Sequence, residues 1–383
     1  MVHGSGSAYC LPRDSCSMKQ RIFILTGDPP EIPGGMEHAV QELTRGLEQR
    51  GYAVEVFHRN NTSAPNWVAR PANKWQGYAA DVLISWYLGL QVRKRIGKDV
   101  VAVLSNGPFG WYVPCSALIK RMHFYHGTYR GQANEIQPFI SGSGAIKLKW
   151  WDSMVLERMS GRGKQIFCNS DQTREQVSKY FGYQGSTVWY PMDTSLFRPL
   201  DRLASRRALG LPDCGHIGLF VGNTQPTKNF GLVSRLMDEL QDVKWILALR
   251  GEVPKGLVRG DRIHLFPNAS KDILPQLYSA ADFAVCPSFY EAFGYVVAEA
   301  LCCGTPMIAS PGGASLCFLN EPSLGGLLVP HPNATADYVI AIRKVLQDSK
   351  SFRRLVIDRV RPKVEKTMKP ENWWQRFFEL TGL

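Results

Sequence analysis

Two carboxylates, Glu291 and Glu299, stand eight residues apart in the segment PSFYEAFGYVVAEALCCGTPMIAS, residues 287–310. Apolar residues from Phe293 onward recur at helical spacing, which predicts a helix with Glu291 at its entrance. At a rise of roughly 1.5 Å per residue, Glu299 would lie about 12 Å further along the helix axis. Carboxylates accept hydrogen bonds from hydroxyls, and the free amides of a helix N-terminus attract anions. The segment therefore predicts a site for a ligand with both hydroxyls and phosphates, such as a nucleotide sugar.

The chain that would position these groups alternates between strands and helices. RIFILTG (21–27) has the pattern of a strand, residues 37–52 show helical periodicity, and AVEVFHR (53–59) is a second strand. This order is typical of a parallel α/β sheet, in which ligands bind beyond the carboxyl ends of the strands. Further strands are predicted at residues 81–87, 99–106, 120–127, 164–170, 216–222, 244–251, 261–267, 282–288, 305–310 and 326–330.

A length of 383 residues favours two domains, because single cores usually stop growing near about 250 to 300 residues. The alternating pattern breaks into irregular, proline-punctuated chain near residues 188–200 and then resumes. We predict an α/β protein with two Rossmann-like, doubly wound domains. Their predicted bounds are 19–192 and 193–362, with a polar, disordered extension at 1–18 and a C-terminal helix, 363–383, that packs back toward the first domain.

Composition limits the remaining possibilities. The sequence has no apolar run near the roughly 18 residues that a membrane span needs, and no Gly-x-Gly-x-x-Gly or P-loop that would indicate a dehydrogenase or a P-loop kinase. Nine cysteines without a Cys-x-x-Cys, together with the lack of a secretory signal, indicate reduced, buried thiols and a cytoplasmic protein. The net charge of +12 is concentrated in the first half and fits an anionic surface or acceptor, while nucleic acid has little other support.

Several motifs together resemble the retaining family 4 of glycosyltransferases, whose GT-B fold has two Rossmann-like domains that face an interdomain cleft. The most specific stretch is residues 277–310. The other motifs that carry the resemblance are PGGMEHAV (33–40), His126-Gly127, YPMDTSLFRP (190–199), FVGNTQPTKN (220–229), PGG (311–313) and GLLVP (326–330). The resemblance implies transfer of a sugar from a nucleotide-diphosphate donor to a glycan, a lipid-linked molecule or a small molecule.

On the C-terminal side, the resemblance implies that Glu299 binds the nucleotide ribose and that Glu291 accepts from hydroxyls of the donor sugar. Lys228 would neutralise the departing phosphates, and Phe293 to Tyr295 would contribute to donor binding, with backbone amides at Phe293 and Gly294. Without the family context, the two carboxylates would be read as a solvated helix face, and Lys228 as an exposed loop lysine.

On the N-terminal side, Gly34 and Gly35 would let the backbone approach the diphosphate, and His126 would lie beside the donor sugar. The alternatives are a plain turn for the two glycines and a structural hydrogen bond for His126. Family members are thought to react on one face of the sugar, so that no carboxylate nucleophile is needed. The lack of Asp-x-Asp fits the family's usual independence of divalent metal, and no cofactor is expected.

Two positions depart from the family pattern. Asn223 occupies a donor-binding position where the family usually has arginine, and Leu316 stands where a glutamate is common. Altered donor preference or compensation by another cation such as Arg250 would explain these changes. They also leave open a nucleotide-sugar-binding protein without transfer activity, and a nucleotide-sugar epimerase is a further alternative.

The segment KLKWWDSMVLERM, residues 147–159, combines lysines with the adjacent pair Trp150 and Trp151. Such a composition is compatible with contact to a membrane or to a lipid-linked acceptor. Indoles buried on an ordinary cleft helix are the simpler interpretation, and we favour it at this point. A peripheral position at the inner face of the membrane stays open.

Overall fold

The computed structural model describes residues 19–32, 35–62, 80–113, 118–254, 257, 260–320, 324 and 327–383. Two parallel sheets with flanking helices confirm the predicted α/β fold class. The six strands of the first sheet lie in the order β2-β1-β3-β4-β5-β6, and the five of the second in the order β11-β10-β7-β8-β9. The strands are β1 Arg21–Leu25, β2 Ala53–Phe57, β3 Val100–Asn106, β4 Lys120–Tyr125, β5 Gln165–Cys168, β6 Gly185–Thr187, β7 His216–Gly222, β8 Val243–Leu249, β9 Ile263–Leu265, β10 Phe283–Cys286 and β11 Met307–Ala309.

The α-helices of the described residues are α1 Gly35–Glu48, α2 Ala80–Arg95, α3 Tyr129–Ile136, α4 Gly142–Ile146, α5 Arg158–Gly161, α6 Asp171–Phe181, α7 Arg202–Ala208, α8 Phe230–Glu239, α9 Leu274–Ala280, α10 Tyr295–Cys302, α11 Gly313–Phe318, α12 Thr335–Gln347, α13 Ser349–Leu355, α14 Arg361–Met368 and α15 Pro370–Thr381. A π-helical segment, Lys147–Glu157, joins α4 to α5, and we call this continuous run the 142–161 helix. None of the described helices is both long and apolar enough to cross a bilayer.

The first sheet buries both of its faces, which explains the unbroken apolar run of β1. Ile22 and Ile24 point to one face and join the cluster that contains α1 residues, whereas Phe23 and Leu25 point to the other face. Successive side chains of a strand alternate between faces, so a central strand of a parallel sheet is apolar at every position. The second sheet forms one larger core with its own helices.

The predicted strand at residues 81–87 is wrong, because this segment lies within α2. Ile84, Leu88 and Val92 are buried at four-residue spacing and pack in the cluster below β1. The helical period becomes visible only when the pattern is followed to residue 92, since a short apolar run fits either element. Strand β6 was not predicted. Within the predicted strand at 326–330, of which the structure describes 327–330, pairing is limited to a bridge between Ala309 and Leu328.

The chain returns from the second domain to the first at its end. Val364 and Met368 of α14 still belong to the second core, so the return comes later than residue 363. Helix α15 then packs on the first sheet through Trp373, Trp374 and Phe377. A Cβ at Gly46 would lie 1.7 Å from the Trp374 ring, so the tryptophan occupies the space that this glycine leaves open.

Candidate active site

A cavity of about 1080 Å³ lies between loops of the two domains. The ends of β7 and β8 and the residues around the start of α10 line one side, and the start of α1 and His126, after β4, line the other. The structure brings together nine of the ten predicted site residues as lining, and Gly34 lies outside the described residues. The nine are Gly35, His126, Asn223, Lys228, Glu291, Phe293, Gly294, Tyr295 and Glu299.

Glu291 lies in the loop that leads into α10. The prediction that it shares the helix axis with Glu299 is wrong. The helix starts at Tyr295, one residue after Gly294, whose φ of 91° is left-handed. A left-handed residue cannot continue a right-handed helix, and glycine adopts this conformation without the penalty of a Cβ. The expected axial separation of the two carboxylates therefore does not apply, since only Glu299 is helical.

Lys228 and Glu291 form an ion pair in the cavity. The Lys228 Nζ lies 2.5 Å from the Glu291 Oε2, and the Ser288 hydroxyl donates to the same oxygen at 3.3 Å. Burial lowers the pKa of Lys228, but the charge and the hydrogen bond of Glu291 outweigh it, so that the pKa is raised overall. Lys228 is therefore a fixed positive charge, and Glu291 is its direct partner.

Glu299 is held by Tyr278 of α9, whose hydroxyl donates to the Glu299 Oε2 at 2.8 Å. Burial raises the pKa of Glu299, although this bond and the charges of Lys271 and Arg250 oppose the shift. A carboxylate has a second oxygen that can accept from ligand hydroxyls. The side chain thus lines the cavity in a defined orientation.

His126 lies between Asn106 and Tyr190. The Asn106 amide donates to the Leu25 carbonyl at 3.1 Å, so its Oδ1 faces the His126 Nε2 at 2.8 Å. Nε2 must then carry the ring proton, and Nδ1 accepts from the Tyr190 hydroxyl. Burial lowers the pKa of His126 to about 3, so the ring is neutral at physiological pH. Both ring nitrogens have protein partners, which makes His126 an oriented part of the cavity wall.

Tyr290, next to Glu291, reaches across to the first domain in a contact that the sequence did not predict. Its hydroxyl accepts from the Thr128 amide at 3.0 Å and donates to the Gln176 Oε1 at 3.1 Å. The Thr128 hydroxyl donates to the same Gln176 oxygen at 2.7 Å. We call Tyr290, Thr128 and Gln176 the Tyr290 clasp. A Cβ at Gly127 would lie 2.9 Å from the Tyr290 hydroxyl, so glycine is required at this close approach.

The N-terminal end of α6 adds two contacts to the second domain. Ser170 caps this helix by accepting from the Thr173 amide, and its hydroxyl also donates to the Ala292 carbonyl at 2.7 Å. The Gln172 Oε1 accepts from the Gly313 amide at 2.7 Å. The position of α6, directly after a strand of a parallel sheet, is a signal that could have indicated these residues.

Comparisons with known proteins fit this geometry. Residues 33–192 match the sequence family described as Glycosyltransferase Family 4, and residues 201–358 match Glycosyl transferases group 1. A D-inositol 3-phosphate glycosyltransferase of Mycobacterium leprae is 36% identical over 338 residues, which cover 78% of this chain and 77% of that protein. A protein of the same description from Streptomyces bingchenggensis is 31% identical over 375 residues, covering 86% of this chain and 80% of that protein.

The chain belongs to glycosyltransferase family 4.

Solved structures share the GT-B fold of this family 4 glycosyltransferase. Sucrose-phosphate synthase from Thermosynechococcus elongatus superposes with a TM-score of 0.75 at 21% identity, covering 94% of this chain and 98% of that chain. Anabaena HepE, solved in complex with UDP-glucose, superposes with a TM-score of 0.65 at 16% identity, covering 95% and 100%. At these identities the similarity demonstrates the fold alone.

Among the cations that line the donor cavity of this glycosyltransferase, sequence reasoning missed Lys271. Its Nζ lies 3.3 Å from the His38 Nε2, so this lysine of the second domain contacts α1 of the first. Burial lowers the pKa of His38, and the charge of Lys271 lowers it further, so both effects favour the neutral ring. Asn223, in place of the family's arginine, accepts from the Gln225 amide at 3.1 Å. Lys228, Arg250 and Lys271 also line this cavity.

Gly35 and Leu316 have different surroundings. A Cβ at Gly35 would meet none of the described protein atoms within 4 Å, so packing within the protein does not require this glycine. Leu316 lies exposed on α11 and is outside the set of described residues that line the cavity. The described cysteines are free, and four of the six are buried, whereas Cys214 and Cys317 are exposed.

Proposed function

We propose that this family 4 glycosyltransferase uses a nucleotide-diphosphate sugar and transfers the sugar with retention of its anomeric configuration, without a cofactor or a divalent metal. The observation that carries the proposal is the fixed Lys228–Glu291 pair at the entrance of α10. It lines the same cavity as the neutral His126 and the ribose-reader candidate Glu299. In this set, Lys228 would bind the diphosphate, Glu291 the sugar and Glu299 the ribose of a nucleotide sugar.

The leaving diphosphate is the charged product that the site must stabilise. Breaking the bond between the anomeric carbon and the phosphate oxygen leaves negative charge on the diphosphate. The Lys228 ammonium and the free amides at the start of α10 would meet this charge without reorganisation. Arg250 and Lys271 line the same cavity and would add the positive charge that a metal supplies in other enzymes.

Retention would follow from attack on the face that the diphosphate leaves. The acceptor oxygen forms a bond to the anomeric carbon, the bond to the phosphate oxygen breaks, and the acceptor proton passes to the departing diphosphate. No protein nucleophile takes part in this sequence. Glu291 supports the proposal because its ion pair with Lys228 orients it as an acceptor for sugar hydroxyls.

The donor would be a UDP-sugar in the first instance. HepE, a neighbour with the same fold, was solved with UDP-glucose, and related transferases act on D-inositol 3-phosphate according to their names. Glu299 would bind the ribose, since the Tyr278 bond orients its carboxylate in the cavity. A phosphate-bearing acceptor would fit the positive charge of the cavity.

Lys228→Ala and Glu299→Ala test the site, with Lys244→Ala as a matched control. Lys244 pairs with Asp261 at 3.8 Å in the same domain, on the surface. We expect Lys228→Ala to lower kcat/KM by roughly 10²- to 10³-fold, as for the loss of one preorganised donor to a developing anion. Glu299→Ala should mainly raise the KM for the donor. The measurements are transfer kinetics with UDP-, GDP- and ADP-sugars and an NMR assignment of the anomer in the product.

Unchanged kinetics in both variants would contradict the assignment of the site, and an inverted anomer would contradict retention. Because Asn223 replaces the arginine that is usual in the family, a second candidate function is a nucleotide-sugar-binding protein without transfer activity. Tight donor binding in a thermal-shift assay, combined with no transfer and no hydrolysis for any donor, would favour that candidate.

A further inference from the structure

One side of the 142–161 helix faces solvent with an unusual set of side chains. Ile146, Trp150, Arg158 and Arg162 are exposed on this helix and just beyond its end, while Met154 between them is half-buried against the cluster around Tyr125. Ile146 is 61% exposed and Trp150 is 62% exposed. The opposite side is buried and includes Ala145, Asp152, Ser153, Leu156 and Glu157. The interpretation of Trp150 as a buried indole is therefore wrong.

Cations and rings surround this face. The Arg130 guanidinium lies 5.9 Å from the Trp150 ring and 5.1 Å from the Tyr180 ring, so the same arginine contacts both aromatic side chains. Lys179 lies 5.8 Å from the Tyr180 ring. Aromatic rings and cations in alternation are typical of surfaces that lie at the boundary between lipid headgroups and acyl chains.

A second feature is a cavity of about 480 Å³ at the end of the 142–161 helix. Two arginines, two methionines and a tyrosine line it, namely Met154, Arg158, Met159, Arg162 and Tyr183. The Tyr183 hydroxyl donates to the Arg158 carbonyl at 2.7 Å and ties the cavity wall to the helix. Guanidinium groups beside thioethers suit a ligand that joins a phosphate to an apolar chain.

The charge around this face is positive. Residues 118–190 contain ten lysines and arginines but five acidic residues. Asp152 and Glu157 are buried, and Asp171 pairs with Arg174 at 3.3 Å. Glu135 and Glu175 are the exposed acidic residues that remain in this segment. The outward-facing side chains thus favour an anionic partner.

The face also lies beside the cleft. The Phe139 ring, just before the 142–161 helix, lies 4.4 Å from the Phe289 ring of the second domain, and Phe289 precedes Tyr290 and Glu291. The 142–161 helix follows directly and leads on to β5. A surface that binds the start of this helix would therefore lie near the Phe139–Phe289 contact.

We propose that this aromatic–basic face, formed by the exposed Ile146, Trp150, Arg158 and Arg162, docks the protein on an anionic lipid bilayer. Trp150 and Ile146 enter the headgroup boundary, and the two arginines bind headgroup phosphates. For a transferase docked in this way, the acceptor is lipid-linked. This conclusion about the acceptor rests on the proposed transfer function, whereas the docking itself does not. The exposed Ile146 and Met159 favour lipid over nucleic acid, which offers stacking bases but no acyl phase.

Vesicle sedimentation tests the proposal on the full chain. The probes are vesicles of phosphatidylcholine alone and of phosphatidylcholine mixed with phosphatidylglycerol. We expect binding to the anionic vesicles that weakens with added salt, and little binding to the neutral ones. Arg158→Ala combined with Arg162→Ala should weaken binding about 30-fold. Ile146→Ser combined with Trp150→Ala should weaken it by at least about tenfold.

Ile340→Ser is the matched control, because Ile340 is 67% exposed on α12 of the second domain, and its variant should bind vesicles like the wild type. Equal binding to both vesicle types, full binding by the two double variants, or tighter binding to a single-stranded RNA than to anionic vesicles would overturn the proposal. Donor transfer or hydrolysis by the wild type without vesicles tests the transfer function separately. Vesicle binding with neither transfer nor hydrolysis would remove the proposed function and leave the docking face standing.

Discussion

Burial shifts the pKa of several ionisable side chains around the cleft. It lowers the pKa of His126 to about 3 and raises the pKa of Glu299, in each case because the charged form loses its hydration. A neutral His126 can accept or donate one hydrogen bond at each nitrogen but cannot supply a positive charge to the diphosphate. The positive charge that lines the cavity therefore comes from lysine and arginine side chains.

Glu157 offers a test of this reasoning away from the donor cavity. It lies on the buried side of the 142–161 helix and accepts from the Tyr129 amide at 3.0 Å, and burial raises its pKa to about 8. A raised carboxyl pKa contributes stability that is complete below the unfolded value near 4.5 and is lost as the pH rises through 8.

We therefore expect the wild type to lose roughly 3 kcal/mol of unfolding free energy from this group between pH 5 and 8. Glu157→Gln keeps an acceptor for the Tyr129 amide but cannot ionise, so it should lack this loss. Urea unfolding of both proteins at several pH values measures the difference. Glu135→Gln, at an exposed position, is the control, and parallel pH profiles for wild type and Glu157→Gln would refute the assignment.

At the scale of elements, α6 and the loop before α10 hold each other across the cleft. The loop carries Glu291, and the Tyr290 clasp joins it to the first domain one residue earlier. Ser170 donates to the Ala292 carbonyl, and Gln172 accepts from the Gly313 amide, so α6 makes two further hydrogen bonds to the second domain. Because the loop contacts both domains, the position of the Lys228–Glu291 pair depends on how the domains meet.

Gln176→Ala should lower kcat by roughly tenfold, because the loop is less well positioned around the sugar, with a smaller change in the melting temperature. Gln176→Glu should retain most of the activity, since both partners donate to the side-chain oxygen that glutamate also has. Transfer kinetics at saturating donor measure the effect. Gln165→Ala removes a glutamine bond to the Leu380 carbonyl elsewhere in the same domain and should leave kcat unchanged. A loss of stability without any loss of kcat would show the clasp to be only structural.

At the scale of the whole molecule, the last helix completes the first domain. Trp374 is 7% exposed, and the Arg50 guanidinium lies 4.4 Å from its ring. Lys120 donates to the Thr381 carbonyl at 2.9 Å, so the end of α15 is tied to β4. The first domain is therefore built from both ends of the described chain.

Trp374→Ala should destabilise the protein by about 3 kcal/mol, in the range for truncation of a large buried aromatic side chain. The first domain should unfold at a lower urea concentration, which intrinsic fluorescence and circular dichroism can follow. Trp150→Ala removes an exposed indole and should change the unfolding free energy by less than about 0.5 kcal/mol. Equal effects of the two substitutions would contradict the role of α15 in the first domain.

The sequence by itself determined the features that local pattern encodes. These are the two parallel α/β sheets, the positions of most strands along the chain, the family, and the residues of the segment 287–310 that line the cavity. Periodicity and short motifs report on neighbours along the chain, and the fold class follows from them. The family resemblance also pointed to Lys228, which lines the cavity.

Tertiary structure alone decided which distant groups meet. Thr128 and Tyr290 are 162 residues apart, and Lys271 contacts His38 over a separation of 233 residues. Neither contact has a local signal, because each depends on how the two domains pack. The exposure of Trp150 and the helical state of residues 81–87 were decided in the same way, by the surfaces against which these segments pack. A pattern of apolar residues indicates which side chains can be buried. Whether a given side chain is buried depends on the residues that surround it in space.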